Sequence, residues 1–202
     1  MDYGAILGKG AEADIYSFTA FGTEMVVKVR NPKAYRIAQI DNSIRRARTK
    51  KEARIMAHAA GIGVRVPRVF ALGTFSIYME MVKGKNANLL EEKELASRGV
   101  LGSAGEMLGM MHSSGIVHGD ITPANIMVSG NGIYIIDFGL AEMSRSVEDM
   151  GVDLLLMERS VSKNGFGLFL EGYKGSNASS GNVLKRLEEI KRRGRYQNRS
   201  LD

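Results

Sequence analysis

The chain has 202 residues, 44% hydrophobic and 25% charged, with a formal net charge of +6 and no cysteine. This composition supplies one sizeable core, or two small lobes sharing a cleft, and excludes disulfides and thiolate zinc sites. No apolar run approaches the ~18 residues that a membrane helix requires, and Met1-Asp2-Tyr3-Gly4 opens no basic-then-apolar leader, so a cytoplasmic protein without membrane contact is expected.

Strands are predicted at 5–7, 14–18 and 24–29, the last rich in β-branched residues. A helix follows over 42–60, where Ala53, Met56, Ala57 and Ala60 recur at helical spacing; Gly61 and Gly63 end it and Pro67 prevents its return. Strands at 69–74 and 76–82 complete a five-stranded N-lobe with one helix, residues 1–82. The composition shifts at Lys83-Gly84-Lys85, which places the C-lobe at 83–190 and leaves 191–202 as a basic tail of the single domain 1–202. In the C-lobe, Leu101, Ala104, Leu108 and Met111 share a face of a helix over 94–113. Strands at 125–128 and 133–136 form a hairpin across a Ser-Gly-Asn-Gly turn, and Ser146 with Asp149 announces a helix over 147–161. Residues 163–181 read as a glycine- and serine-rich stretch, followed by a last helix with Val183, Leu187 and Ile190 on one side. The expected class is α+β: a five-stranded N-lobe with one helix, followed by a shortened helical C-lobe.

Positive charge is concentrated. Lys28, Arg30, Lys33, Arg36, Arg45, Arg46, Arg48, Lys50, Lys51 and Arg54 stand against Asp41 and Glu52. Lys185, Arg186, Lys191, Arg192, Arg193, Arg195 and Arg199 stand against Glu188, Glu189 and Asp202. Both runs suit an RNA backbone or an acidic protein surface, and equally a solvated helix face and a frayed end.

The strongest chemical signal is His118-Gly119-Asp120-Ile121-Thr122-Pro123-Ala124-Asn125. Phosphoryl transfer is mostly positioning and charge neutralisation: an aspartate accepts the proton of a hydroxyl or water, and an asparagine five residues on ligates Mg²⁺. In Ile135-Ile136-Asp137-Phe138-Gly139, a carboxylate at the end of an apolar strand requires a cation, which Mg²⁺ supplies. Leu7, Gly8, Lys9, Gly10, Ala11, Glu12, Ala13 and Ile15 form a glycine turn between strands, able to bring backbone N–H groups to phosphates; taken alone it is also a plain hairpin. Strand alternation turns Lys28 toward the cleft with Val26, and Glu52 on the helix is its candidate partner. Met79, Glu80, Met81 and Val82 end the last N-lobe strand where an adenine edge would lie. Asp120, Lys28 and Asn125 are thus the expected catalytic residues, and Asn125 and Asp137 the metal ligands. The glycine turn, Lys28, Glu52, Glu80 and Val82 are expected to bind ATP. His58 and His112 read as ordinary packing or surface histidines on helices, and a transition-metal site is not expected.

The order of these motifs is that of the protein-kinase signature set, and this resemblance implies a minimal bilobal protein-kinase-like fold of class α+β. Gly10-Ala11-Glu12-Ala13, Tyr35-Arg36, the run from Arg45 to Arg54, His118-Gly119-Asp120-Ile121-Thr122 and Arg192-Arg193-Gly194-Arg195 resemble the kinase subunit of the KEOPS/EKC complex, the Bud-type or PRPK-like atypical serine/threonine kinases. The resemblance runs from about Leu7 to Arg195. It implies ATP and Mg²⁺, autophosphorylation and protein phosphorylation, ATP hydrolysis in the complex, and support of threonylcarbamoyladenosine formation in tRNA. It also implies a threonylcarbamoyl-transferase partner on the C-lobe, a small accessory subunit on the N-lobe, and tRNA contact through the complex and the basic tail. The segment from Leu140 to Val152 is too short for a phosphorylated activation loop, and Gly119 stands where regulated kinases carry an arginine. Asp153 matches the helix aspartate that braces the His118–Asp120 backbone. The main rival is a small-molecule kinase of the aminoglycoside/choline type. A RIO-type kinase is nearer, although Asp137-Phe138-Gly139 is not its usual metal motif. A pseudokinase scaffold would tolerate loss of Lys28, Asp120 or Asp137, and all three are present.

Overall fold

The β-branched pair Val26-Val27 builds the centre of the N-lobe, where Val27 is fully buried. The structure, a computed structural model that describes residues 3–20 and 22–197, gives this lobe five antiparallel strands. They are β1 (Ile6–Lys9), β2 (Ala13–Ala20), β3 (Thr23–Arg30), β4 (Val69–Leu72) and β5 (Ser76–Glu80), in the spatial order β1-β2-β3-β5-β4. Lys28 stands in register with Ile15 on one side and Ile77 on the other, so the middle of the sheet presents it beside the glycine turn. The helix α1 (Ala38–Gly61) packs against β4 and β5 through Ala53, Ile55, Met56 and Ala59. It starts four residues before the predicted position because Asp41, in the first turn, accepts from Arg45 Nε at 2.7 Å and favours the positive helix end.

The chain leaves the sheet at Met81, earlier than predicted, and crosses to β6 (Gly84–Asn86), a strand that the sequence does not announce. A Cβ on Gly84 would stand 2.2 Å from Val128 O, so only glycine lets β6 lie against β8 (Ile126–Ser129). The hairpin β8–β9 (Gly132–Ile135) has the expected turn, with Gly132 at φ +118°. A further two-stranded pair joins β7 (Ile116–Val117) to β10 (Glu142–Met143). The single helix expected at 94–113 is two, α2 (Glu92–Ser97) and α3 (Val100–Ser113), because Gly99 between them is left-handed at φ +62°.

The largest departure lies at 163–181. The glycines there do not make a loop: Lys163–Ser176 is a helix, α5, following α4 (Val147–Ser160) and preceding α6 (Ser180–Gln197). They thin one face so that α5 touches α3 backbone to backbone. A Cβ on Gly172 would meet Gly102 O at 2.0 Å, and one on Gly105 would meet Phe169 O at 1.9 Å. Ser162 caps α5 by accepting from Gly165 N–H at 3.0 Å. Part of the basic tail, to Gln197, is helical in α6; Arg199 and Asp202 lie outside the described residues. Among the described residues no helix is long and apolar enough to cross a membrane.

Two glycines on α3 should respond oppositely to alanine. Gly105→Ala overpacks the α3–α5 contact and should cost about 1–3 kcal/mol, read as a lower thermal midpoint. A Cβ on Gly102 meets only Leu168 O at 3.8 Å, so Gly102→Ala should be neutral or gain up to about 1 kcal/mol in helix propensity.

Candidate active site

On the N-lobe side the predicted pair is formed. Lys28 Nζ lies 2.6 Å from Glu52 Oε1 and 2.7 Å from Asp137 Oδ1, tying β3, α1 and the segment after β9 together. The second oxygen of Glu52 is held at 2.6 Å by Arg30 Nη2, which sequence reasoning missed. The signal was there: Arg30 follows Lys28 by two residues and so shares its strand face. Burial works to lower the Lys28 pKa, but the Glu52 and Asp137 carboxylates outweigh it and hold the ammonium above its ordinary value. For Asp137, desolvation works upward, and Lys28 with the Gly139 N–H outweighs it, leaving the carboxyl below the usual range. Asp137 adopts φ +59°, a left-handed conformation that aspartate tolerates better than most residues. Its side chain stays 48% exposed.

Across the cleft, Asn125 Nδ2 donates to Asp120 O at 2.8 Å and to Asp120 Oδ2 at 2.9 Å, so the loop brings these two residues together. The loop hangs from the fully buried Asp153, as anticipated. Asp153 Oδ2 accepts from His118 N–H and Oδ1 from Gly119 N–H, both at 2.8 Å. Gly119 is at φ +79°, and a Cβ there would stand 2.8 Å from Leu140 O. The short segment after Gly139 thus closes over the position where an arginine would otherwise sit.

His118 is fully buried, and desolvation holds its pKa below the ordinary histidine value despite nearby carboxylates. Its Nε2 lies 3.2 Å from Ile136 O, a pure acceptor, and its Nδ1 lies 3.3 Å from the Asp120 N–H, a donor. The ring is therefore neutral, with its proton on Nε2. His112 is a packing histidine, as one of the two expected readings has it, and it is also bonded at both nitrogens, to Tyr173 Oη at 2.9 Å and Asp153 Oδ2 at 3.1 Å. His58 is exposed.

Between the lobes lies a cavity of about 470 Å³. Leu7, Ile15, Val26, Lys28, Glu52, Met79, Glu80, Met81, Val82, Asn125, Ile136 and Asp137 line it, as do Pro67, Asn86 and Met127, which the motifs did not single out. Gly8, Lys9, Gly10, Ala11, Glu12 and Ala13 form the turn above it, closed by Gly10 N–H donating to Ala13 O at 3.0 Å. Glu12 is directed to Arg48 and to Arg30, 3.3 Å from the latter, rather than into the cavity. Its carboxyl is held below the usual range, mainly by the hydrogen bond from Arg48. The basic run is largely spent in this way: Arg30, Arg36, Arg45 and Arg48 are paired with Glu12, Asp41 or Glu52. Arg46, Lys50 and Arg54, one helical turn apart, remain exposed on α1. Among the described residues no group of three or more His, Cys, Asp and Glu side chains could hold a metal ion.

Comparison with known proteins gives the family of the chain. A family model described as the RIO domain matches residues 16–155. The KEOPS complex subunit Bud32 of Pyrococcus abyssi is 37% identical over 96% of this chain and 97% of its own length. The chain belongs to the Bud32 family of RIO-domain proteins. The RIO-domain match includes the Asp137-Phe138-Gly139 triplet, which speaks against a RIO-type kinase in the sequence. A probable bifunctional tRNA threonylcarbamoyladenosine biosynthesis protein of Methanothermobacter thermautotrophicus is 39% identical over 95% of this chain. The chain spans only 36% of that relative, about a third of its length. The fold is that of Rio2 kinase from Chaetomium thermophilum, solved as an ADP/Mg²⁺–phosphoaspartate complex. The TM-score is 0.65, with 17% identity, over 98% of this chain and 72% of that one.

The neutral His118 sets a pH dependence. Its folded pKa is depressed, so its contribution to stability is complete above the unfolded value of about 6.5. It is lost as the pH falls from there through the lower folded value, because only the unfolded chain takes up the proton. The thermal midpoint should fall between pH 7.5 and 5.5, and His118→Gln should flatten that slope.

Proposed function

We propose that the chain is an ATP- and Mg²⁺-dependent phosphotransferase, an atypical serine/threonine kinase that also hydrolyses ATP, working in the cytoplasm within a KEOPS-type assembly. The observation that carries the reading is one cleft in which Lys28, Glu52 and Asp137 are joined within 2.7 Å and Asp120 and Asn125 within 2.9 Å. Lys28 would anchor the phosphates. Apolar Leu7, Ile15, Val26, Met79 and Met127 would enclose the base, with the backbone at Glu80–Val82 along its edge. Gly8 to Ala13 would cover the phosphates from above, Glu12 acting on the loop through its arginines.

The residues present fit Mg²⁺. Asn125 Nδ2 is committed to Asp120, which leaves Oδ1 as a free acceptor beside the half-exposed Asp137. Two protein oxygens suffice for a cation that keeps waters and phosphate oxygens as its other ligands. When bound, the metal neutralises charge on the transferred phosphoryl group. Asp120, its carboxylate held by Asn125, would orient the nucleophile and accept its proton. The short 140–152 segment provides no peptide platform, so water, the chain itself or a docked protein would serve as acceptor.

A partner on each lobe is consistent with the surface. Leu140 and Met143 are exposed beside the catalytic loop, suiting a threonylcarbamoyl-transferase subunit, and Tyr35, Ile37 and Ile40 are exposed on the N-lobe, suiting a small accessory subunit. The bifunctional relative, which carries a segment like this one within a longer tRNA-modification protein, supports the same setting. For tRNA, the free stripe Arg46, Lys50 and Arg54 is better placed than α6, where Arg186, Lys191 and Arg193 are paired with glutamates.

Asp137→Asn and Asp120→Ala should each abolish ATP turnover, cutting free-phosphate release and protein-bound label from radiolabelled ATP about 100-fold or more; the thermal midpoint should be nearly unchanged in Asp120→Ala and lower in Asp137→Asn, which takes a charged partner from buried Lys28. Retained turnover in either would refute the assignment. Efficient transfer to an aminoglycoside or choline, without any partner effect, would replace it with a small-molecule kinase. Changing Arg46, Lys50 and Arg54 to alanine should weaken tRNA binding and reduce the slope of log affinity against log salt by about 0.7–0.9 for each phosphate no longer neutralised. Lys28-dependent ATP binding should be unaffected.

A further inference from the structure

We propose that Tyr173, seated by Asn177, is a positioning residue for the catalytic loop, acting through His112 and Asp153. The proposal rests on the phosphotransferase reading for its activity measurement and on geometry for everything else. Asn177 Oδ1 accepts from Ser179 N–H at 2.9 Å, which fixes the amide so that Nδ2 donates to Tyr173 Oη at 2.7 Å. The phenol is fully buried, and desolvation raises its pKa, so it keeps its own proton. The acceptor that proton meets is His112 Nδ1, at 2.9 Å. With Nδ1 accepting, His112 is protonated at Nε2 and donates to Asp153 Oδ2 at 3.1 Å. Asp153 then presents both oxygens to the His118 and Gly119 amides, one and two residues before Asp120.

The groups facing His112 are thus Tyr173 from α5 and Asp153 from α4, with the His118 amide sharing the Asp153 oxygen. No proton has to move between these groups: the arrangement selects a tautomer. Had His112 its proton on Nδ1, its Nε2 lone pair would face the Asp153 carboxylate, and the buried carboxylate would lose a donor. Tyr173 can reach His112 only because α3 and α5 are in backbone contact; a Cβ on Gly109 would stand 2.8 Å from Tyr173 O. Helix α5 therefore does more than fill the C-lobe: its last turn orients the hydrogen-bonding of the active-site loop.

The test is Tyr173→Phe in the full chain, with Asn177→Ala as a second variant. ATP turnover should fall about three- to tenfold in kcat for the phenylalanine variant, the scale of one buried hydrogen bond, at unchanged KM for ATP. Amide exchange at His118 and Gly119 should quicken while exchange in β3 and β5 stays as it was. Asn177→Ala should move both readouts the same way, but less. Unchanged kcat with unchanged exchange at the two amides would overturn the proposal. So would a joint change in kcat, KM and exchange throughout the chain, which would make Tyr173 a packing residue only. A wild-type chain that turns over no ATP would refute the phosphotransferase reading, and the exchange measurement would still decide whether Tyr173 holds the loop.

Discussion

Glu52 is a carboxylate with 2% exposure on a helix interior, and a charge in that position costs several kcal/mol unless cations and hydrogen bonds surround it. Here each oxygen has its own cation at 2.6 Å, Lys28 on one and Arg30 on the other. Because both cations come from β3, the carboxylate holds α1 at a set distance and rotation against the sheet. Because Lys28 also reaches Asp137, the same charge fixes the N-lobe against the segment that follows β9. Arg30 extends the arrangement to Glu12 in the glycine turn. Removing one member would leave another buried charge unpaired, and such losses are larger than the net worth of the pairs themselves. The cleft is in this sense built on one carboxylate.

The C-lobe solves a different problem, which is holding a loop of irregular backbone without the extra chain that larger kinases use. Asp153 takes the two amides of His118 and Gly119, and its own position is secured by His112. Gly119 then permits Leu140 to close over the loop, and Glu142 and Met143 pair with Val117 and Ile116. The segment that would carry an activation loop is consumed in two strand residues and the cap of α4. There Ser146 accepts from Asp149 N–H at 3.3 Å, while Asp149 binds Ser144 Oγ at 2.6 Å. Those residues hold the loop in place.

This economy fits the membership in the Bud32 family and the RIO-type fold. The cleft is open to solvent at the half-exposed Asp137, and Leu140 and Met143 are exposed apolar residues close to it. The charge run in α1 is divided, since Arg45 and Arg48 hold the lobe together and Arg46, Lys50 and Arg54 stay exposed.

Much of the site was legible in the sequence, because its chemistry is written in short, local spacings. Asp120 and Asn125 share one loop, Asp137 ends one strand, and Lys28 sits in a β-branched run, so their placement follows from local geometry. Glu52 was legible as a partner only because the other motifs demanded one. Arg30, the bonded His112 and the direction of Glu12 were not legible, since each depends on a residue far away in the chain. The helix α5 was misread for a related reason: glycine frees a backbone in isolation, yet permits close approach when another helix lies against it. Composition and spacing determined which groups could do chemistry; the tertiary structure decided which of them meet, because burial makes an unpaired charge or polar group too costly to leave where it lies.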